Sequence, residues 1–366
     1  MSRRRIRVMP CIQNLNYGGM ERVLSDLVHG VDPERFEPHV LTLQYRGRYS
    51  EDLDRVATMH DGPKQGRLSL LWPRALTRTI QAIAPDVVHL HSGVWYKAAK
   101  ASRRAGVPRV VYTEHGRVGP EAFTAKTLDS MASRWTDRVV AVSAATADQL
   151  TVGPGIARDR IDVIPNGIDT ERFAPGASTF RSDRGIADDV VLLGSVGRLE
   201  PVKGYPHLLE AFRRVLDRVG DRKVHLVMAG DGSEGERLEA LSASLDLGDH
   251  LTFLGWWDDP EGLLRALDVF VMSSISEGTS ISLLEAMSSG CCPVVTRVGG
   301  NPHVLGPDLA HRLVESADPD SIADGLVAAC TDADARASDA RTGRARVQSD
   351  FDVRGMVEAY SRLYES

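Results

Sequence analysis

Val269-Phe270-Val271-Met272-Ser273-Ser274-Ile275-Ser276-Glu277-Gly278-Thr279-Ser280-Ile281-Ser282-Leu283-Leu284-Glu285-Ala286-Met287 is the stretch that decides how this chain is read. Its first four residues are an apolar run with the length of a buried strand, and Ile281, Leu284 and Met287 recur at helical spacing. Between them lie Gly278, Thr279 and Ser280, small residues that let a ligand approach the backbone and that cap a helix. A helix start carries unpaired N–H groups and a partial positive charge, so it draws phosphate or sugar oxygens. Glu277 precedes that start and Glu285 lies two turns in. Eight helical positions span roughly 12 Å, an upper bound because the loop end is not helical. A ligand with hydroxyls at both ends and an anion in the middle fits such a gap, and a nucleotide sugar has that form.

The flanks repeat the pattern. Val190–Val196 reads as a strand followed by Gly197-Arg198-Leu199-Glu200-Pro201-Val202-Lys203-Gly204. Arg198 offers a planar fork of donors and Lys203 a mobile point charge, a pair suited to a diphosphate. His225–Gly230, Leu251–Gly255 and Pro293–Thr296 supply further strands. In the first half Arg5–Ile12, Val40–Leu43, Val87–Leu90, Val110–Tyr112 and Val139–Val142 alternate with amphipathic segments, the mark of β-α-β units on a parallel sheet. Glu21–Val28 reads as a helix with Val23, Leu24 and Leu27 inward. The turn Asn16–Met20 puts Gly18 and Gly19 where such a sheet binds phosphate. It lacks the Gly-x-Gly-x-x-Gly fingerprint of a dinucleotide dehydrogenase.

Three histidines and a glutamate stand at strand ends. His89 and His91 share one face of their strand, a spacing open to metal or to a position beside a ligand crevice. His115 follows the Val110–Tyr112 strand, at the end that faces ligand in an open α/β sheet. Glu114 beside it is either a base or the group that orients His115. Asp318-Pro319-Asp320 and Asp332-Ala333-Asp334 imitate a metal-binding Asp-x-Asp but lie in or before helical segments, where they read as solvated caps.

The bulk numbers set the frame. At 366 residues two domains are expected, and no apolar run is long enough to span a bilayer. Met1–Arg7 has the basic start of a signal peptide, but the apolar stretch after it breaks at Gln13-Asn14, so Ile6–Ile12 reads as a strand. Cys11, Cys291, Cys292 and Cys330 show no metal spacing, and a reducing cytoplasm is expected. The net charge of −6 hides an asymmetry. Residues 1–175 hold 25 Lys/Arg against 19 Asp/Glu, and the remainder 19 against 31. Arg46, Arg48, Lys97, Lys100, Arg103 and Arg104 point to an anionic or lipid-linked acceptor.

Taken together, Glu277-x7-Glu285, Gly290, Pro293-Val294-Val295 and Val298-Gly299-Gly300 resemble the donor signature of the retaining, metal-independent glycosyltransferases of family four, the group 1 glycosyl transferases. Gly197–Gly204 resembles that family's Gly-Arg-Leu-x-x-x-Lys-Gly motif, and Ile164–Asp169 its Pro-Asn-Gly-Ile-Asp turn. The resemblance covers nearly the whole chain. It implies the α/β fold called GT-B: two Rossmann-like parallel-sheet domains facing a cleft, with a C-terminal helix crossing back to the first. Residues 1–175 would bind the acceptor, 176–350 the nucleotide sugar, and 351–366 would return to the first domain, with Phe173–Ser178 as linker.

The resemblance further implies site roles. Arg198 and Lys203 would neutralise the departing diphosphate, and Gly18, Gly19, Gly278, Thr279, Ser280 and Ile281 would line it with donors. Glu285 would hold ribose hydroxyls, the backbone at Leu254 would meet the base, and Glu277 and His115 would act at the sugar. The family often has an acid where this chain has His303. No metal or other cofactor is expected, the nucleoside diphosphate sugar (UDP- or GDP-linked) being a co-substrate. No nucleic acid partner is expected. The place expected is the cytoplasm, including the inner face of the membrane, which the basic first half would touch. A nucleotide-sugar epimerase or hydrolase, and a non-catalytic sugar-nucleotide sensor, remain open on the same shell. An epimerase would alter the donor without acceptor; a sensor would lack His115 or a glutamate.

Overall fold

Short apolar strands, most of them followed by a helix, assemble into two parallel sheets in this computed structural model, which describes residues 4–16, 18–64, 67–116 and 123–366. Met1–Arg3 of the basic start and Tyr17 of the glycine turn lie outside the described residues. The chain divides into two units. One is Met1–Gly167 together with Val353–Ser366, and the other is Ile168–Asp352.

The first unit carries β1 (Ile6–Asn14), β2 (Phe36–Tyr45), β3 (Thr58–Asp61), β4 (Val87–His91), β5 (Arg109–Glu114), β6 (Arg138–Ala141) and β7 (Ile161–Val163), in the spatial order β3-β2-β1-β4-β5-β6-β7. The second carries β8 (Val191–Val196), β9 (Val224–Ala229), β10 (Leu251–Gly255), β11 (Val269–Met272), β12 (Cys292–Thr296) and β13 (Leu313–Val314), in the order β10-β9-β8-β11-β12-β13. The order reverses beside β1 in one sheet and beside β8 in the other. Ligands of open α/β sheets bind at the strand ends of such a switch point.

The inner strands are covered on both faces, so they read as unbroken apolar runs; β11 and β12 are buried throughout. The edge strands β3 and β13 escaped the sequence reading, whereas β7 is the strand that precedes the Ile164–Asp169 turn. Leu313–Val314 is only two residues, and Thr58–Asp61 has a single apolar residue and is partly exposed, so neither leaves an apolar run.

An aspartate just before a strand closes a neighbouring strand's start in both units. Asp86 accepts from the Arg7 amide at 2.8 Å, Asp137 from the Val110 amide at 2.7 Å, and Asp268 from the Leu192 amide at 2.8 Å. Asp268 also takes the Arg181 guanidinium at 2.7 Å. Asp268→Ala would strand both donors, so chemical denaturation should show a loss of about 1–3 kcal/mol.

The break between units falls earlier than the expected Phe173–Ser178 linker. Phe173 is buried, and its carbonyl accepts from Ser288 Oγ at 2.5 Å. Ile168 donates its amide to the Phe351 carbonyl at 2.9 Å, and Thr170 Oγ1 donates to Asp352 at 2.6 Å. Residues 168–175 are thus tied into the second unit. The final helix, Val353–Glu365, belongs to the first unit. Arg109 donates to the Leu363 carbonyl at 3.0 Å, Arg35 pairs with Glu365 at 2.8 Å, and Tyr364 meets Phe36 edge to face at 5.9 Å.

Candidate functional site

In the second unit the loops after β8 and β11, adjacent strands at the switch point, are laced together. Ser273 Oγ donates to the Lys203 carbonyl at 2.9 Å, and the Ile275 amide to the Val202 carbonyl at 2.8 Å. Gly204 turns at φ +62°, and a side chain there would overlap the Ser273 carbonyl oxygen. Only glycine suits this crossing.

That lacing sets the charges. Lys203 Nζ lies 2.7 Å from Glu277 Oε1, and Ser274 Oγ donates to the same oxygen at 2.6 Å. The two charged side chains are 20% and 10% exposed. Lys203 is therefore neutralised by Glu277, where the sequence reading gave one to the diphosphate and the other to the sugar. Arg198 is exposed, and its guanidinium has no ion pair or hydrogen bond among the described residues. Gly299, at φ +52°, brings the loop after β12 so close that a side chain would overlap the Glu277 carbonyl, and the Gly300 amide donates to the Gly278 carbonyl at 3.0 Å. Glu277 is thereby held from both sides.

The helix Ile281–Ser288 starts directly behind Glu277, with Ser280 at its N-cap and no side-chain capping bond. Thr279 and Ser280 are buried. The side-chain cap expected at this start is not made by Ser280, and the first-turn amides have no partner within the helix. Glu285 sits half-buried in the second turn of that helix. Leu254 is half-buried on edge strand β10, whose Gly255 carbonyl accepts from the Gly230 amide at 2.8 Å. His303 is exposed, with its ring edge on Phe351. Asp318 and Asp332 cap helices, accepting from the Ser321 and Ala335 amides at 3.1 and 2.9 Å.

In the first unit Gly18 is the N-cap and Gly19 the first residue of the helix Gly19–Gly30, directly behind β1 at the switch point. Gly18 is extended, φ −173°, so no backbone demand reserves it for glycine. His115 Nε2 lies 2.9 Å from His91 Nδ1, with the rings stacked at 5.2 Å. His115 Nδ1 and His91 Nε2 are shut from solvent without a partner. His89 reaches Tyr364 OH at 2.7 Å through Nδ1 and Thr113 Oγ1 at 2.8 Å through Nε2. Burial pulls the His89 and His115 pKa values down to about 3 and that of His91 well below its ordinary value. Among the described residues no three metal-ligating side chains gather, here or elsewhere.

Glu114 does not touch the His115 ring. It accepts from Tyr112 OH at 2.6 Å and Ser92 Oγ at 2.9 Å, and Ser92 Oγ in turn accepts the His115 amide at 3.1 Å. Of the two roles left open, the geometry favours orienting the chain at His115. Glu114 also lines a cavity of about 930 Å³ with Gln13, Lys64, Trp95, Tyr96 and Lys97. Ser92 and the His91–His115 pairing were not read from the sequence, because each partner comes from a different strand end; Ser274 lies three residues before Glu277 in one loop, where a lone serine carries no signal.

The family model described as Glycosyl transferases group 1 matches residues 177–346, and that described as Glycosyltransferase Family 4 matches 17–172. The UDP-Gal:alpha-D-GlcNAc-diphosphoundecaprenol alpha-1,3-galactosyltransferase of Escherichia coli is 31% identical over 66% of this chain and 65% of its own length. The putative glycosyltransferase EpsF of Bacillus subtilis (strain 168) is 30% identical over 78% of this chain and 77% of its own. Among solved structures, Anabaena Alr3699/HepE in complex with UDP and glucose superposes with a TM-score of 0.85 at 21% identity, covering 98% of this chain and 99% of that one. That likeness establishes the fold as GT-B.

Proposed function

The chain belongs to the group 1 glycosyl transferases of family 4, and from that premise we propose that it moves a sugar from a nucleoside diphosphate sugar to an acceptor hydroxyl. The Lys203–Glu277 pair at the switch point, backed by an uncapped helix start, carries the reading. A diphosphate arriving there finds the Gly278–Ile281 amides and the uncommitted fork of Arg198. It also finds an ammonium whose present partner, Glu277, can turn to sugar hydroxyls. Donors fixed before the reaction supply most of the stabilisation of a leaving group. Glu285 takes ribose hydroxyls, and the backbone at Leu254 meets the base. His115 acts at the sugar once its Nδ1, shut from solvent in this structure, is uncovered.

Transfer proceeds with retention. Glu277 already shares one carboxylate oxygen with Lys203 and Ser274, which weakens it as a nucleophile. A same-face substitution led by the departing phosphate follows. Trapping a covalent glycosyl-enzyme would count against it. The UDP complex of the Anabaena protein and the UDP-linked donor named for the E. coli enzyme support a UDP-sugar. The lipid diphosphate in the latter's name supports an anionic, lipid-linked acceptor.

Thermal shift with UDP- and GDP-sugars tests the donor. A concentration of about 100 Kd adds about 2.7 kcal/mol, and the base that fits should raise Tm most. Transfer should persist in excess EDTA, because the fixed cations and amides replace a divalent ion. Loss of activity with chelator, restored by magnesium or manganese, would overturn metal independence. Donor altered without acceptor would identify an epimerase or hydrolase instead.

A further inference from the structure

We propose that the surface formed by Leu71, Trp72 and the helices Arg74–Ile83 and Trp95–Ala105 docks the first unit on an anionic lipid bilayer. Together these helices carry Arg74, Arg78, Lys97, Lys100, Arg103 and Arg104, and no aspartate or glutamate. The two helices pack on each other, so a strongly basic surface results to which neither helix brings an acid, far from the mixed charge of an ordinary solvated face. Part of it is committed. Arg103 pairs with Asp137, and Lys100 sits 5.2 Å over the Tyr96 ring. Arg74, Arg78 and Arg104 are exposed and have no acidic partner among the described residues.

Beside these arginines lie two adjacent large apolar side chains in the open, Leu71 at 56% and Trp72 at 57% exposure. Trp72 is flanked by the guanidiniums of Arg74 at 5.8 Å and Arg104 at 5.3 Å from its ring. An indole with an aliphatic neighbour and arginines on either side matches the boundary between headgroups and acyl chains. The apolar tips enter the boundary while the cations meet lipid phosphates. A nucleic acid would satisfy the arginines but leave Leu71 without an apolar phase. No helix among the described residues is long and apolar enough to cross a membrane, so the binding is peripheral.

The patch adjoins the cavity of the first unit, since Leu70, one residue before Leu71, lines it. Lys64 and Lys97 line the same cavity and have no acidic partner among the described residues. A headgroup phosphate or diphosphate lifted from the bilayer would meet these two ammoniums. This use of the surface, though not the docking itself, rests on the transfer reading above.

Sedimentation of the full chain with vesicles tests it, comparing phosphatidylcholine alone with phosphatidylcholine mixed with phosphatidylglycerol. Binding is expected only to the mixed vesicles and should fall as salt rises. R74E/R78E/R104E should lower partitioning by about a hundredfold or more, and W72A should lower it while keeping the preference for anionic lipid. Both variants should retain the wild-type UDP thermal shift, which shows them folded. Equal binding to both vesicles, no binding, or undiminished binding by the triple variant would each overturn the docking. A DNA duplex that displaces the protein from mixed vesicles would overturn the lipid assignment. Vesicle binding without sugar transfer would leave docking standing and sink the transfer reading; transfer without vesicle binding would do the reverse.

Discussion

Replacing Lys203 by alanine should lower turnover by about 10²- to 10³-fold, the usual effect of deleting one fixed charge that stabilises a developing anion. The structure makes the test sharper than a bare loss of activity. Lys203 and Glu277 are joined at 2.7 Å and both are largely shielded from water. The single substitution also leaves Glu277 without its cation, with Ser274 Oγ still donating to it. Removing one partner of so shielded a pair should cost about 1–3 kcal/mol of stability. Turnover and stability must therefore be separated. Lys203→Ala with Glu277→Gln removes both charges, so it should recover much of the stability and none of the turnover. Recovery of turnover in the double variant would mean that Lys203 serves only to hold Glu277. Unchanged turnover in the single variant would remove Lys203 from the site.

How much of this was legible follows from the range over which each feature is decided. The strand-turn-helix unit at Val269–Met287 and the Arg198–Lys203 turn are local. A buried strand needs a run of apolar residues, a close backbone turn needs glycine, and both signals lie within twenty residues. Sites built from one such unit were placed accordingly, and Arg198, Lys203, Glu277 and the helix start do share one end of one sheet. What was not legible is pairing across units of sequence. Lys203 meets Glu277 only because β8 and β11 are neighbours, and strand order is settled by the packing of helices far apart in the chain. The same holds for His91 at the end of β4 against His115 directly after β5. Tyr360 and Tyr364 lie on the buried face of the final helix, four residues apart, and their hydroxyls lie beside Thr113 and His89, partners no local pattern announces. The break at Gly167 was missed because Phe173–Ser178 is rich in breakers, while the backbone and side-chain bonds that tie 168–175 to Ser288, Phe351 and Asp352 leave no mark in composition.

Those histidines carry the second large effect. Lowering the pH from 7 to 5 should reduce the unfolding free energy by about 2 kcal/mol for each ring held neutral, the slope approaching about 1.4 kcal/mol per pH unit at the acid end. The sign follows from where the protons go. His89, His91 and His115 have folded pKa values far below the ordinary 6.5 because burial penalises the charged ring. The unfolded chain therefore takes up protons first, below pH 6.5. The stability they contribute is whole above that value and drains as the pH falls toward the folded values. Geometry gives the same answer independently. At 2.9 Å, His91 Nδ1 and His115 Nε2 share one proton. Charging both rings would set two N–H groups against each other at that contact and leave both outer nitrogens, His91 Nε2 and His115 Nδ1, protonated with no acceptor. Carboxylates remain largely ionised above pH 5, so this window isolates histidines. His60 and His225 are also lowered by burial, so assignment needs a variant. His91→Phe should flatten the slope by about one proton's worth, 1.4 kcal/mol per pH unit. It also deprives His115 of the bond that fixes its ring, so turnover should fall with donor KM unchanged. A wild-type stability that stays level from pH 7 to pH 5 would mean these rings charge freely in the fold. In that case a neutral His115 could not be what faces the sugar.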